Sequence, residues 1–321
     1  VVPANCWATT ALNRLKTSCL WCTACGWHGW FGIRRWCSLA PMLSYRHAFH
    51  AGNHADVLKH CLEMVLLDHL AQKDKPYTYL DTHAGAGAYA LDSGYAVKNA
   101  EFLTGIGRLW TREDLPPALA RYVACIRAFN PDGLLRFYPG SPTVAHALLR
   151  PDDRMRLFEL HSTDSTLLAA HFAREKRQVR VEASDGFDGI KAVLPPPSRR
   201  GLVLIDPPYE DKRDYARVVS VLKEALKRFA TGTYAVWYPQ LQRVESRLLP
   251  NELKTLAPSW LHVALTVQSP SIDGFGMHGS GMFVLNPPWT LPATLKTVMP
   301  YLVDALGLDG GANYTLEWEI P

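Results

Sequence analysis

Seven short apolar runs, most of them separated by helical patterns, constrain this chain more than any other feature. They are Tyr77–Leu80, Met155–Leu160, Val179–Ala183, Gly201–Ile205, Thr233–Trp237, Leu261–Val267 and Met282–Leu285. Runs of this length suit strands buried on both faces. Helical patterns lie between them: Leu58, Cys61, Leu62, Val65, Leu66 and Leu70 form one stripe over 56–72, and another amphipathic pattern covers 215–229. The alternation predicts an α/β sandwich with a mostly parallel, seven-stranded sheet. About 70 residues separate the first two runs, far more than a crossover helix needs. Helical spacing at Phe102, Ile106, Leu109 and Trp110, and again over 118–129, marks residues 91–138 as a small helical insertion. It follows the C-terminal end of the first strand, where a lid or substrate-gripping role is as natural as a purely decorative one.

Composition breaks near Met42. Residues 1–41 hold five of the seven cysteines, five of the ten tryptophans, four basic residues and no acidic ones. Of the 34 Lys and Arg, 30 therefore remain beyond this leader, against 30 Asp and Glu, so the body is neutral and any basic footprint must be local. Cys19, Cys22, Cys25 and His28 are too crowded for the paired ligands of an ordinary zinc site, and Trp27, His28 and Trp30 interrupt what would be a signal peptide. The leader is expected to be non-native upstream sequence or disordered. Cys61 and Cys125 alone fit a reducing compartment without disulfides. No apolar run reaches the roughly 18 residues of a membrane span.

Four strand ends carry the chemistry. Leu80-Asp81-Thr82-His83-Ala84-Gly85-Ala86-Gly87 runs from a strand into a small-residue turn that lets backbone approach a ligand. Glu159 ends the next strand, where a carboxylate can accept from both ribose hydroxyls or simply begin a helix. Asp185, before Gly186 and Phe187, can accept from an exocyclic amine or cap a helix. The fourth end, Asp206-Pro207-Pro208-Tyr209, has a mechanical meaning. An exocyclic aromatic amine is a poor nucleophile because its lone pair is delocalised. The Asp206 carboxylate and the Pro207 carbonyl, accepting its two N–H bonds, favour a pyramidal nitrogen aimed at a methyl donor. Consecutive prolines hold that carbonyl, and Tyr209 offers a face for an extruded base. Asn286-Pro287-Pro288-Trp289 has the same form, but comes three strands later and is expected to end the last strand, away from the cofactor half.

Asp-Pro-Pro-Tyr after a small-residue turn resembles the S-adenosylmethionine-dependent amino methyltransferases. Met42-Leu43-Ser44-Tyr45-Arg46-His47 through His60, Asp81 to Gly87, Tyr138-Pro139-Gly140-Ser141-Pro142 and Arg199-Arg200-Gly201 resemble the J-type 23S ribosomal RNA adenine-N6 methyltransferases, from Met42 to about the C-terminus. The resemblance implies a Rossmann-like methyltransferase fold over 42–90 and 139–321. It implies a cytoplasmic monomer that methylates one adenine of 23S rRNA before ribosome assembly. S-adenosylmethionine would be bound by His60, His83, Ser141, Glu159, Asp185 and Gly186, with Asp206 as catalytic acceptor and Tyr45 on the RNA.

Ser141 before Pro142 reads as an N-cap. His60, on an apolar stripe, reads as a core histidine unless the resemblance lifts it. His47, His50, His54 and His60 lack an H-E-x-x-H pattern or a nearby thiolate, so no metal is expected; with Arg46 they suit an RNA-facing arm. Two basic clusters offer phosphate contacts: Arg174, Lys176, Arg177 and Arg180, and the better placed Lys212, Arg213 and Arg217. Lys212 and Arg213 are expected to hold the RNA backbone. The tetrapeptide names neither nucleic acid nor base, so a DNA adenine or cytosine methyltransferase remains the nearest rival and a noncatalytic RNA-binding module the next. A nicotinamide dehydrogenase is disfavoured by the incomplete dinucleotide fingerprint.

Overall fold

A computed structural model describes residues 47–92 and 99–320. The leader, Tyr45 and Arg46 lie outside the described residues. The main sheet takes its strands from β1 (Thr78–Asp81), β4 (Arg154–Phe158), β5 (Val179–Glu182), β6 (Gly201–Ile205), β7 (Thr233–Gln240), β8 (Trp260–Thr266), β9 (Gly279–Leu285) and β10 (Asn313–Glu319). Their order is β10-β8-β9-β7-β6-β1-β4-β5, eight strands where seven were expected. The five strands from β5 to β7 run parallel, while β9 is antiparallel to β7 and β8, and β10 antiparallel to β8. The unforeseen strand is β10, an edge strand with an exposed or half-buried side chain at every position, which leaves no continuous apolar run to read. A second small sheet pairs β2 (Ala88–Ala90) with β3 (Phe137–Pro139).

Alternating side chains of the central strands feed two cores. Tyr79, Met155, Leu157, Leu202, Leu204 and Ala235 face a layer containing α1 (His54–Ala71) and α9 (Leu291–Leu306). Leu80, Val203, Ile205, Tyr234 and Val236 face α6 (Gly186–Val193), α7 (Arg213–Arg228) and α8 (Val244–Lys254). Burial on both faces explains why β6 is apolar at every position. Within the expected insertion, α2 (Ile106–Leu109) and α3 (Pro117–Ala128) bury Ile106, Leu109, Leu119, Tyr122, Val123 and Ile126 in the same core as α1. Two more helices, α4 (Ser141–His146) and α5 (Ser162–His171), flank β4 in sequence. No helix among the described residues is long and apolar enough to cross a membrane.

The order of connections positions the site. From β1 the chain moves outward to β4 and β5, then returns to β6 on the other side of β1. The carboxyl ends of β1 and β6 thus flank a topological switch point, where open α/β sheets form ligand crevices.

Candidate active site

One cleft gathers the ends of β1, β4, β5 and β6. Its lining includes His47, Lys59, His60, His83, Gly85, Ser141, Glu159, Asp185, Gly186, Asp206, Pro207 and Pro208, and it holds about 1020 Å³ of space with its open mouth included. All six expected cofactor ligands and two of the three expected catalytic residues therefore meet in one place. Tyr209 does not. Its ring is 2% exposed and packs on Tyr215, with centroids 4.5 Å apart. Its hydroxyl donates to the Trp237 carbonyl at 2.8 Å. A stacking face for a base is not open on Tyr209; the residue, at φ +52°, anchors the turn from below.

The turn after β1 is laid across the neighbouring strand ends. The Thr82 amide donates to the Leu204 carbonyl and the Ala84 amide to Phe158. The Gly85 amide donates to Glu159 Oε2 at 2.8 Å and the His161 amide to Glu159 Oε1 at 2.7 Å. Glu159 is thus clamped at the cleft floor, and burial raises its pKa, against the pull of those two amides. Gly85 has φ +62°, a conformation that glycine adopts without the strain a side chain would bring.

Asp81 and Ser141 form a second support. The Ser141 hydroxyl donates to Asp81 Oδ2 at 2.7 Å, the Tyr79 hydroxyl to the same oxygen at 2.9 Å, and the His83 amide to Asp81 Oδ1 at 3.1 Å. Ser141 is therefore not the helix cap expected from its sequence: Gly140 occupies that position, and the hydroxyl is committed to the buried carboxylate. Burial lifts Asp81 to about 6, in spite of its three donors.

His60 is both a core histidine and a cleft residue. Its Nδ1 lies 2.7 Å from the Tyr138 hydroxyl, while its Nε2 is buried with no hydrogen-bond partner. Burial depresses its pKa to about 3, so the ring is neutral, and Nε2, without a hydrogen bond, lies 3.9 Å from Asp56 Oδ1. Burial also lowers His83 to about 4; its ring meets Phe187 edge-on at 4.9 Å. Asp185 performs the bland role foreseen for it, accepting from the Phe187 amide as the cap of α6. Its other oxygen accepts from Arg217 at 2.7 Å, and the guanidinium lies 4.4 Å from the Phe187 ring centroid. Arg217 thus leaves the basic cluster to which its sequence position assigned it and joins the cleft wall.

Sequence reasoning missed the strongest feature of the site. Lys59, on the second turn of α1, donates from Nζ to Asp206 Oδ2 at 2.6 Å and lies 3.0 Å from Asp56 Oδ1. Asp56 Oδ2 in turn is 2.9 Å from His47 Nε2 and accepts from the Gly52 amide. All the side chains of the Asp206–Lys59–Asp56 chain are largely buried. Burial raises the Asp206 pKa, and the Lys59 ammonium with its hydrogen bond pulls it back down. Burial alone would raise Asp56 too, but His47 and Lys59 hold it well below the usual range. The only sequence trace of this was a lysine and a histidine side by side in an apolar stripe, with an aspartate one turn before.

Outside the cleft, Lys212 and Arg213 are exposed where α7 begins, immediately after the tetrapeptide, and Arg213 is paired with Asp211. Arg174, Lys176 and Arg177 precede β5 and so lie toward the amino-terminal end of the parallel strands, opposite the site.

Comparison with known proteins identifies relatives of the whole fold. The model of a family described as ribosomal RNA large subunit methyltransferase D, RlmJ, matches residues 74–320. Ribosomal RNA large subunit methyltransferase J of Escherichia coli K12 is 50% identical over 281 residues, covering 87% of this chain and all of the relative. The protein of the same name from Haemophilus influenzae is 49% identical over 282 residues, with 87% and 100% covered. The crystal structure of LPL1258 from Legionella pneumophila superposes with a TM-score of 0.77 at 36% identity, covering 84% of this chain and 98% of that one. This chain belongs to the RlmJ family of ribosomal RNA large subunit methyltransferases.

Proposed function

We propose that this protein transfers a methyl group from S-adenosylmethionine to the N6 amine of one adenine in 23S rRNA. It would act as a cytoplasmic monomer, on RNA that is protein-free or early in assembly. The observation that carries the reading is the arrangement around Asp206: an amine-accepting carboxylate and the Pro207 backbone share one cleft with the glycine turn and Glu159.

The residues present fit the donor. Glu159 and the neighbouring Gly85 suit a ribose, the Phe187–Arg217 wall suits a purine, and His60, with a buried Nε2 that makes no hydrogen bond, lines the same cleft. S-adenosylmethionine supplies an electrophilic methyl on a sulfonium. His60, His83, Ser141, Glu159, Asp185 and Gly186 would hold it, with Ser141 fixed by Asp81 and Asp185 by Arg217.

Asp206 accepts one amine N–H and the Pro207 carbonyl the other, which concentrates the lone pair on the reacting side of the nitrogen. Lys59 favours the ionised form of the buried Asp206 and orients it, and Asp56 with His47 keeps Lys59 in place. A carboxylate oxygen accepts two hydrogen bonds, so Asp206 can serve Lys59 and substrate together. Tyr45, Arg46, Lys212 and Arg213 would hold the RNA.

The test is incubation of the full chain with labelled S-adenosylmethionine and protein-free 23S rRNA, followed by mass mapping of the product nucleoside. N6-methyladenosine at one position is expected. Product on DNA alone, a methylated cytosine, or no transfer to any nucleic acid would overturn the reading.

A further inference from the structure

The two most exposed large apolar side chains among the described residues sit on one turn, Ile272 at 107% and Phe275 at 79% relative exposure. Water-facing aromatics cost free energy unless something covers them, and topology indicates where this one points. The turn belongs to the loop joining β8 to β9. Because β9 is antiparallel to β7, that loop leaves the sheet at the same end of the strands at which β6 delivers Asp206.

Hydrogen bonds connect the turn to the site. The Gln242 side chain donates to the Ser271 carbonyl at 2.5 Å. Its neighbour Arg243 donates to the Tyr209 carbonyl, the last residue of the catalytic tetrapeptide, at 3.3 Å. The turn is also internally braced. Asp273 Oδ1 accepts from the Ser271 hydroxyl at 2.6 Å and from the Phe275 amide at 3.1 Å. Gly274 and Gly276, at φ +81° and +88°, bracket Phe275 and present it outward. Arg243 and Arg247 are exposed at the start of α8, directly after the Gln242 that binds the turn, while Asp273 is the acidic group within the turn.

Chemistry on a base requires that base to leave its stack, and the neighbours it leaves need a new surface. Exposed aromatic and aliphatic side chains beside cations supply it: bases stack on the apolar faces and phosphates meet the guanidinium groups. We propose that the Ile272–Phe275 turn is the platform on which RNA bases flanking the target adenine stack when the substrate docks. This rests on the rRNA reading above and extends it to a surface four strands of sheet wide, from β6 to β8.

The experiment measures labelled methyl transfer by the full chain to protein-free 23S rRNA for Phe275→Ala, Ile272→Ala and Phe275→Trp. Trp289→Ala serves as the control, since that aromatic is 76% exposed and follows β9 at the opposite end of the strands. Phe275→Ala is expected to raise the KM for RNA about ten-fold, the loss of one base–aromatic stack. Ile272→Ala should raise it less, Phe275→Trp should restore it, and Trp289→Ala should leave it unchanged. Affinity for S-adenosylmethionine and thermal stability should not move in any of them. If Phe275→Ala matches Trp289→Ala, the platform is refuted and a protein partner becomes the better occupant. A fall in cofactor affinity or melting temperature would likewise refute it in favour of a structural role. Absence of transfer by the wild-type chain would instead strike the substrate reading itself, and the platform with it.

Discussion

The chain carries the same local motif twice, and the two copies have opposite fates. Asp206-Pro-Pro-Tyr209 follows β6, and Asn286-Pro-Pro-Trp289 follows β9. Because β9 runs antiparallel to the core strands, Asn286 emerges at the end of the sheet where β7 begins: Tyr234 pairs with Leu285, and Thr233 donates to the Asn286 carbonyl. There its amide donates to the carbonyls of Ala230 and Gly232, tying down the loop after α7. Asp206, by contrast, meets a buried ammonium and a cleft. Tyr209 is buried, whereas Trp289 is open to solvent. A tetrapeptide therefore acquires chemistry from the direction of its strand and from what the adjacent helix brings to it. The expectation that Asn286 ends the last strand was wrong in detail, since β10 follows, but its separation from the site stands on strand direction.

Lys59→Met tests the difference most severely. It would leave Asp56 and Asp206 as neighbouring buried carboxylates without their shared cation, at a cost of about 3–5 kcal/mol, and chemical denaturation should register it together with loss of methyl transfer. No counterpart of that ion chain exists around Asn286 among the described residues, so no single charge removal there should cost as much.

Acid should also act on the Asp206 side. The His60 pKa of about 3 lies below its unfolded value near 6.5, so between these limits the unfolded chain binds more protons. Stability is then present above pH 6.5 and is lost as pH falls toward 3, by up to about 1.4 kcal/mol per pH unit for this group. Asp81 contributes with the opposite sign: raised to about 6, it stabilises fully below about 3.8 and the contribution is lost as pH rises through 6. His60→Gln leaves Asp81 in place, so the difference between the two pH–stability curves isolates His60. The signed slope of stability against pH should be lower in the variant by about that amount between pH 6 and 4.

A smaller effect is expected from Asn286→Ala, which strands two carbonyls at a partly exposed site: about 1–2 kcal/mol in a thermal or urea melt, with methyl transfer intact.

How far the sequence carries depends on locality. The strands β1, β4 to β9, the glycine turn and Asp206 were readable because continuous apolar runs and small-residue turns are short-range signals. The edge strand β10 was not, because one ladder neighbour asks little of its side chains. The paired segments β2 and β3 are three residues each and 46 residues apart, beyond any periodicity. Lys59 was hidden for a different reason. Its meaning lies in a contact across 147 residues that exists only once α1 is laid against the end of β6. Ser141 and Arg217 both line the cleft, but with partners the sequence does not reveal: Ser141 is bound to Asp81 and Arg217 to Asp185.

The central claim is that the Asp206 carboxylate, and not the lookalike at Asn286, aims the amine. Its most direct test is the rate of labelled methyl transfer to protein-free 23S rRNA by Asp206→Ala beside Asn286→Ala, each with its cofactor affinity and fold checked. By analogy with the loss of one transition-state hydrogen-bonding group, Asp206→Ala should lower the rate about 10²–10³-fold, while Asn286→Ala should retain it. Equal activity in the two variants would contradict the account.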